Sequence, residues 1–251
     1  MSALLGVLAG ALPEGTIRFS AEVRAVEPGA ADGPAAVTLA DGTCLEADLV
    51  VAADGGKSVV RDAPFPRHPR PQYAGFPVWW MLTPAIGEKV VPSETLGKGV
   101  VFGIMPLRDG RVYAYGTVLM PQSPPSGDPL AELRAATSGW HAQVRAILDK
   151  ADSARVFRDD SRFMTEPLPA FHRGRVALVG DAAHPMTPDL GQGGCQAIED
   201  GVVHHKEQEA ARAVRVSPRG ASSRIVACSS PRVSPWLTIT TGSPSCAACR
   251  T

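Results

Sequence analysis

The chain has 251 residues, long enough for one large domain or two small ones with a real core. Lys plus Arg and Asp plus Glu balance at 25 each, so no basic field points to nucleic acid or an anionic membrane surface. Hydrophobic residues at 44% and charged residues at 20% fit a globular protein, and 25 Gly with 23 Pro imply many turns and short strands.

The opening stretch 1–12, MSALLGVLAGAL, lacks a basic n-region and is too short to span a bilayer; it predicts a buried helix before the turn at Pro13 and Gly15. From 16 to 53 the pattern is β. Ile17, Phe19, Ala21 and Val23 alternate with mostly polar residues, as in one half-buried strand. Val37 to Leu39 and Thr43 to Leu45 flank Asp41-Gly42 and read as a hairpin. Residues 48–53, DLVVAA, form a continuous apolar run that suits a strand buried on both faces.

Segments 100–105 and 111–118 flank Asp109-Gly110 and predict a second hairpin. Asp128 is placed to cap a helix running from about 129 to 150, whose apolar set Leu130, Leu133, Ala136, Trp140, Val144 and Ile147 keeps helical spacing. Residues 175–179, RVALV, predict another buried strand, and 195–200 a helix start. Beyond about 204 periodicity fades, Ser, Pro and Arg accumulate, and no acidic residue follows Glu209; this predicts a disordered tail.

Of the five cysteines, Cys44 and Cys195 read as reduced packing residues, while Cys228, Cys246 and Cys249 crowd the tail. Cys246 and Cys249 have half a zinc-ribbon spacing without a second pair, and His204-His205 would point apart on a helix, so no metal site is expected.

Two constellations carry chemistry. In the first, 48–61 (DLVVAADGGKSVVR), a buried strand delivers Asp54, Gly55 and Gly56 to its carboxyl end, where open α/β sheets bind ligands. The glycines allow close approach of backbone N–H groups to a phosphate or ribose; Ser58 adds a hydroxyl and Arg61 a cation. The plainer alternative has Asp54 capping the turn after the strand. In the second, 174–200 (GRVALVGDAAHPMTPDLGQGGCQAIED), Asp181 stands at another strand end, suited to accept from ribose or ribityl hydroxyls. Gly191, Gln192, Gly193 and Gly194 then open a helix whose positive N-terminus suits negative charge on a planar ring. His184 could act as acid or base, but a structural role at the turn before Pro185 fits better.

Together these segments resemble the single-component FAD-dependent monooxygenases that include the para-hydroxybenzoate, salicylate and urate hydroxylases; the zeaxanthin-epoxidase-like enzymes are similar. Asp54, Gly55, Ser58 and Arg61 match that family's DG motif, which implies a place by the FAD pyrophosphate and the NAD(P)H side. Gly180 and Asp181, followed by His184 and Pro185, match its GD motif at the FAD ribose, and Pro188 with Gly191 to Gly194 match the loop beside the isoalloxazine. Val23 falls where a family strand passes the adenosine. Tyr73, Trp79 and Trp80 match the opening of the substrate sheet, although Trp80 stands where urate- and salicylate-type enzymes often carry Arg.

The resemblance spans about 4–203 and implies an α/β (α+β) class: an incomplete FAD/NAD(P)-binding three-layer fold with an inserted antiparallel-sheet substrate domain. The expected division is 1–62 and 166–203 for the FAD-binding part, 63–165 for the substrate sheet, and 204–251 for a disordered or frame-shifted tail. No G-x-G-x-x-G opens a βαβ unit, and the chain is expected to begin downstream of that unit. The implied activity is hydroxylation or epoxidation of a small aromatic or electron-rich substrate in the cytoplasm, with FAD, NAD(P)H and O2 and no catalytic side-chain nucleophile. No nucleic-acid or membrane partner is expected. The alternative is an inactive truncated remnant that does not hold FAD. A flavin halogenase fits less well, since no W-x-W-x-I-P segment occurs.

Overall fold

The computed structural model describes residues 2–29, 33–87, 89–124, 127–214, 225–229 and 237–240. They form two compact units, Met1–Gln72 with Phe163–Thr251, and Tyr73–Arg162.

The first unit contains a six-stranded sheet and a three-stranded one. At the centre of the larger sheet β5 (Leu49–Ala53) runs parallel to β12 (Val176–Leu178) on one side and to β13 (Ile225–Ser229) on the other. Outer strands β11 (His172–Arg173), β14 (Leu237–Thr240) and β1 (Ile17–Phe19) pair antiparallel. Val50 and Ala52 of β5 are fully buried while Leu49 and Val51 are half-buried, so one face of this strand is sealed more tightly than the other. The small sheet joins β2 (Val23–Glu27), β3 (Ala35–Leu39) and β4 (Cys44–Ala47), with Val37 opposite Leu45 as the hairpin pattern predicted. Val37, Leu39, Val50, Val176 and Leu178 share one core with Val60, Ala182 and Ala183.

Several expectations change here. The alternating run 17–23 is not one strand: Ser20 takes a left-handed φ of 57°, and β1 and β2 enter different sheets. Helix α1 (Ser2–Gly10) forms, but Leu4, Val7 and Leu8 are exposed, so it is not a buried helix. Cys195 is exposed and Cys44 is partly buried, and neither forms a disulfide. Beyond 204, where the sequence predicts a disordered tail, helix α4 (Gly193–Val214) continues and β13 and β14 extend the sheet; the rest of that tail lies outside the described residues. A parallel strand along β5 satisfies an edge that would otherwise leave N–H and C=O groups unpaired. Cys246 and Cys249 lie outside the described residues.

The second unit contains a sheet in the order β10 (Phe157–Phe163), β6 (Gln72–Thr83), β9 (Val112–Val118), β8 (Val100–Pro106), β7 (Ser93–Gly97), in which β6, β9, β8 and β7 pair antiparallel. Strands β8 and β9 form the predicted hairpin, with Ile104 opposite Ala114. One sheet face carries Trp79, Met81, Phe102, Ile104 and Ala114 into a core with Leu130, Leu133, Val144 and Ile147. The last four come from a helical segment expected to be continuous from 129 to 150. It divides instead into α2 (Ala131–Ala136) and α3 (Ala142–Lys150). Thr137 turns its hydroxyl back to the Leu133 carbonyl at 2.8 Å, and Gly139 at φ 84° ends the helical path. Asp128 does not cap α2, whose N-cap is Leu130 without a side-chain cap bond; it accepts from the Leu130 N–H at 2.9 Å in the turn before the helix.

The unit begins at Tyr73 rather than near 63, because 63–72 is anchored to the first unit. Phe65 packs on that unit's core, its N–H donates to the Arg61 carbonyl, and Arg173 donates to the Pro64 carbonyl at 2.7 Å.

Candidate cofactor site

The loops that follow β5 and β12 lie side by side because their strands are parallel neighbours. The ladder continues past the assigned strand end, with the Val179 N–H donating to the Ala52 carbonyl at 2.9 Å. Asp54 and Asp181 therefore leave the carboxyl ends of adjacent parallel strands, the position where such sheets bind ligands.

The first loop is closed upon itself. The Asp54 carboxylate accepts from the Ser58 hydroxyl at 2.6 Å and from the Val59 and Val60 N–H groups at 2.9 and 3.1 Å. Ser58 is buried and its Oγ in turn accepts the Arg61 N–H at 2.9 Å. Asp54 thus caps a turn, the plainer of its two sequence readings.

Arg61 departs from expectation. The motif suggested a cation offered to a pyrophosphate; the side chain is instead 3% exposed. Its guanidinium donates to the carbonyls of Gly56 at 2.8 Å and Ala182 at 3.0 Å, with a longer approach to Asp181 at 3.4 Å. A planar fork with several fixed donors suits three carbonyls from two loops better than an ammonium would. Burial pulls its pKa below the usual guanidinium value, while Asp62 and Asp54 partly restore it. Arg61 is a cross-link between the two loops.

The second loop is tight for a visible reason. Gly180 has φ 55°, and a Cβ there would sit 3.0 Å from the Ala197 Cβ of α4, so the residue must lack a side chain on both counts. Its carbonyl accepts the N–H groups of Ala183 and His184, each at 2.9 Å. Its own N–H donates to Asp200 Oδ2 at 2.7 Å, and the same oxygen lies 2.8 Å from His184 Nε2. Asp200, in the third turn of α4, therefore fixes both ends of the Gly180–His184 turn. With Asp200 as acceptor, Nε2 carries the imidazole proton, and Phe171 meets the ring edge-on at 5.8 Å.

Between these fixed ends stands Asp181, whose side chain is exposed. Desolvation by the surrounding loops pushes its carboxyl pKa up, and neighbouring His184 offsets part of the rise. A Cβ built on Gly193 would lie 3.9 Å from Asp181 Oδ1, so the carboxylate borders the first residue of the 22-residue helix α4. Gly191, at φ 63°, turns the chain out of the short helical turn Pro188–Leu190 into α4, and nothing lies within 4 Å of where a Gly194 Cβ would be. Gln192 and Pro188 are exposed in the same segment. The result is an exposed carboxylate beside a helix start, whose first N–H groups have no intrahelical acceptor, open above Gly194.

Described contacts bring the two predicted loops together through Arg61 and through Gly56 against Pro185. Val23 is not among them: it sits in β2 opposite Leu39 and packs on the core. Sequence reasoning missed Asp200, which lies inside the second motif but shows no spacing that pairs it with Gly180. Among the described residues no three His, Cys, Asp or Glu side chains cluster as a metal site, and no helix is long and apolar enough to cross a membrane.

Paired strand-end loops and a glycine-opened helix stand at the carboxyl edge of parallel strands, where α/β folds bind ligands. Comparison with known proteins gives the family. Residues 4–205 match the family model described as FAD binding domain, and the chain belongs to that family. It is 40% identical over 178 residues to the aurachin C monooxygenase/isomerase of Stigmatella aurantiaca, covering 68% of this chain and 46% of that protein. To the FAD-dependent urate hydroxylase of Mycolicibacterium vanbaalenii it is 35% identical over 191 residues, covering 74% and 48%. The crystal structure of Klebsiella pneumoniae HpxO with FAD and uric acid superposes with a TM-score of 0.66 at 32% identity, again covering 74% of this chain and 48% of that one. The chain spans about half the length of the curated relatives it matches.

Proposed function

We propose that the chain carries the ribose- and isoalloxazine-facing part of an FAD-dependent monooxygenase acting on a small aromatic or electron-rich substrate with NAD(P)H and O2, in the cytoplasm. The observation that carries the reading is the exposed Asp181 carboxylate bordering Gly193 at the opening of α4. The family match and the hydroxylase names of the relatives support it.

The residues present fit half of the cofactor. Asp181 would accept hydrogen bonds from ribose or ribityl hydroxyls. The N–H groups at Gly193 and Gly194, with the partial positive charge of the helix start, would face the negative edge of a reduced ring. Gly191, Gln192 and Pro188 would shape the loop beside it, and Asp200, through Gly180 and His184, positions Asp181 without touching the cofactor. Bound FAD would supply the redox chemistry, drawing electrons from NAD(P)H and delivering an oxygen atom from O2. Near the pyrophosphate the fit is backbone only, at Gly55 and its neighbours, since the side chains of Asp54, Ser58 and Arg61 are committed inside the loops.

That commitment favours a second reading in which this chain alone is inactive and does not retain FAD. Titration with FAD, followed by visible absorbance, separates the two. A perturbed, stoichiometric flavin spectrum and flavin-dependent NAD(P)H oxidation support the enzyme. A colourless protein whose melting temperature FAD does not raise supports the second reading.

A further inference from the structure

The second unit has two sheet faces, and only one is packed by α2 and α3. Strand pairing places Trp80, Tyr115, Gly103 and Glu94 in one row across β6, β9, β8 and β7 on the other face. Phe157 of β10 extends the row, its ring 5.6 Å from that of Trp80.

The row is built so that the phenol lies flat. A Cβ on Gly103 would fall 2.2 Å from Tyr115 Cε1 and Cζ, so the ring occupies the space of the missing side chain. Lying there, the Tyr115 hydroxyl reaches across β8 and donates to Glu94 Oε1. Burial, followed by this bond and the Glu94 charge, pushes the Tyr115 pKa up to about 12, which keeps the phenol neutral. The outcome is an aromatic floor that ends in a carboxylate.

The flanking rows are Val78, Thr117 and Val101 on one side and Leu82, Tyr113 and Met105 on the other. Phe157, Leu82 and Met105 are exposed while Val78 is buried, so the floor is open along its Leu82–Met105 edge. None of these rows carries a basic side chain, and the central row ends in Glu94. A flat ring stacks on such a floor, and an anionic edge placed beside Glu94 would meet like charge.

We infer that this face binds a planar aromatic ligand whose edge is uncharged and offers an N–H or O–H donor to Glu94, and that it discriminates against aryl carboxylates. The inference rests on the monooxygenase reading only in calling that ligand the substrate.

The test uses the full chain without FAD and three matched probes, 2-naphthamide, 2-naphthol and 2-naphthoate, with affinities measured by ligand-observed NMR. The amide and the phenol are expected to bind at least tenfold more tightly than the carboxylate. Glu94→Gln, an exposed change, is expected to reduce that preference to threefold or less. Gly103→Ala, which displaces the Tyr115 ring, is expected to weaken the amide at least fivefold with an unchanged circular dichroism spectrum. Equal or tighter binding of the carboxylate overturns the inference. So does a preference that survives Glu94→Gln, or the absence of binding by all three probes. Because FAD is left out, a chain that binds the amide but fails the flavin titration refutes the proposed function and leaves this inference standing.

Discussion

Arg61 offers the sharpest test of how the two loops are held. If it cross-links them, replacing it must destabilise the protein before any cofactor is present. Arg61→Met keeps an apolar stem of similar reach and removes the fork. The two shorter bonds, to Gly56 at 2.8 Å and Ala182 at 3.0 Å, are lost. Hydrogen bonds from charged groups contribute about 1.5–3 kcal/mol each. Removing a buried charge returns part of that, since burial already disfavours the charged guanidinium. A net loss of about 3 kcal/mol follows, because the buried Ala182 carbonyl and the partly buried Gly56 carbonyl lose the guanidinium donor. For a chain of this size that corresponds to roughly 10 °C in melting temperature. The assay is urea denaturation and a thermal melt of the FAD-free chain, beside Arg61→Lys, whose ammonium retains charge but cannot span both loops. The lysine variant is expected to fall between wild type and Met. A Met variant within about 0.5 kcal/mol of wild type, a change typical of unremarkable surface positions, together with a collapse in FAD affinity, would refute the cross-link and return Arg61 to the phosphate.

Asp200→Ala removes the common acceptor of Gly180 and His184; it is expected to speed amide exchange across 180–184 and to lower FAD affinity at least tenfold. Unchanged exchange there would show that Asp200 does not hold the turn. Asp181 gives a pH signature. Its folded pKa is raised, so the stability it contributes is present below the unfolded value of 3.8 and is lost as pH rises through the higher folded value. Asp181→Asn is therefore expected to stabilise the FAD-free chain at pH 7, with the advantage fading as pH falls toward 3.8, while weakening FAD binding; chemical denaturation at several pH values reads this directly. The adjacent tryptophans should separate cleanly. Trp79 is fully buried beneath α2 with Arg158 5.3 Å from its ring, so Trp79→Ala is expected to cost about 3–5 kcal/mol. Trp80→Ala, on the open face, is expected to cost far less in a melt and more in ligand binding.

Local pattern reached far in this chain. The hairpins around Asp41-Gly42 and Asp109-Gly110 and the apolar strands before Asp54 and Asp181 are all present. Each is set by neighbours in sequence: alternation, turn residues and a short apolar run ending in glycine. The second motif also put Asp181 just after a buried strand and glycines at a helix opening, and the fold has both. Where alternation was the sole guide it misled, since residues 17–23 keep one period across a left-handed Ser20 that splits them between two sheets.

What the sequence could not assign was the partner of each polar group. Arg61 in a motif reads as a cation for a phosphate; only the approach of the Ala182 carbonyl, 121 residues away, makes it a cross-link. Asp200 stands in the sequence only as the last residue of the second motif; the packing of Ala197 against Gly180 brings it to the loop. Trp79 and Trp80 are indistinguishable as letters, and the pairing of β6 with β9 sends one into the core and the other onto the open face. Periodicity and turn chemistry act over a few residues and are written in the chain. Hydrogen-bond partners and sheet faces depend on contacts between distant segments, and those exist only once the strands have paired.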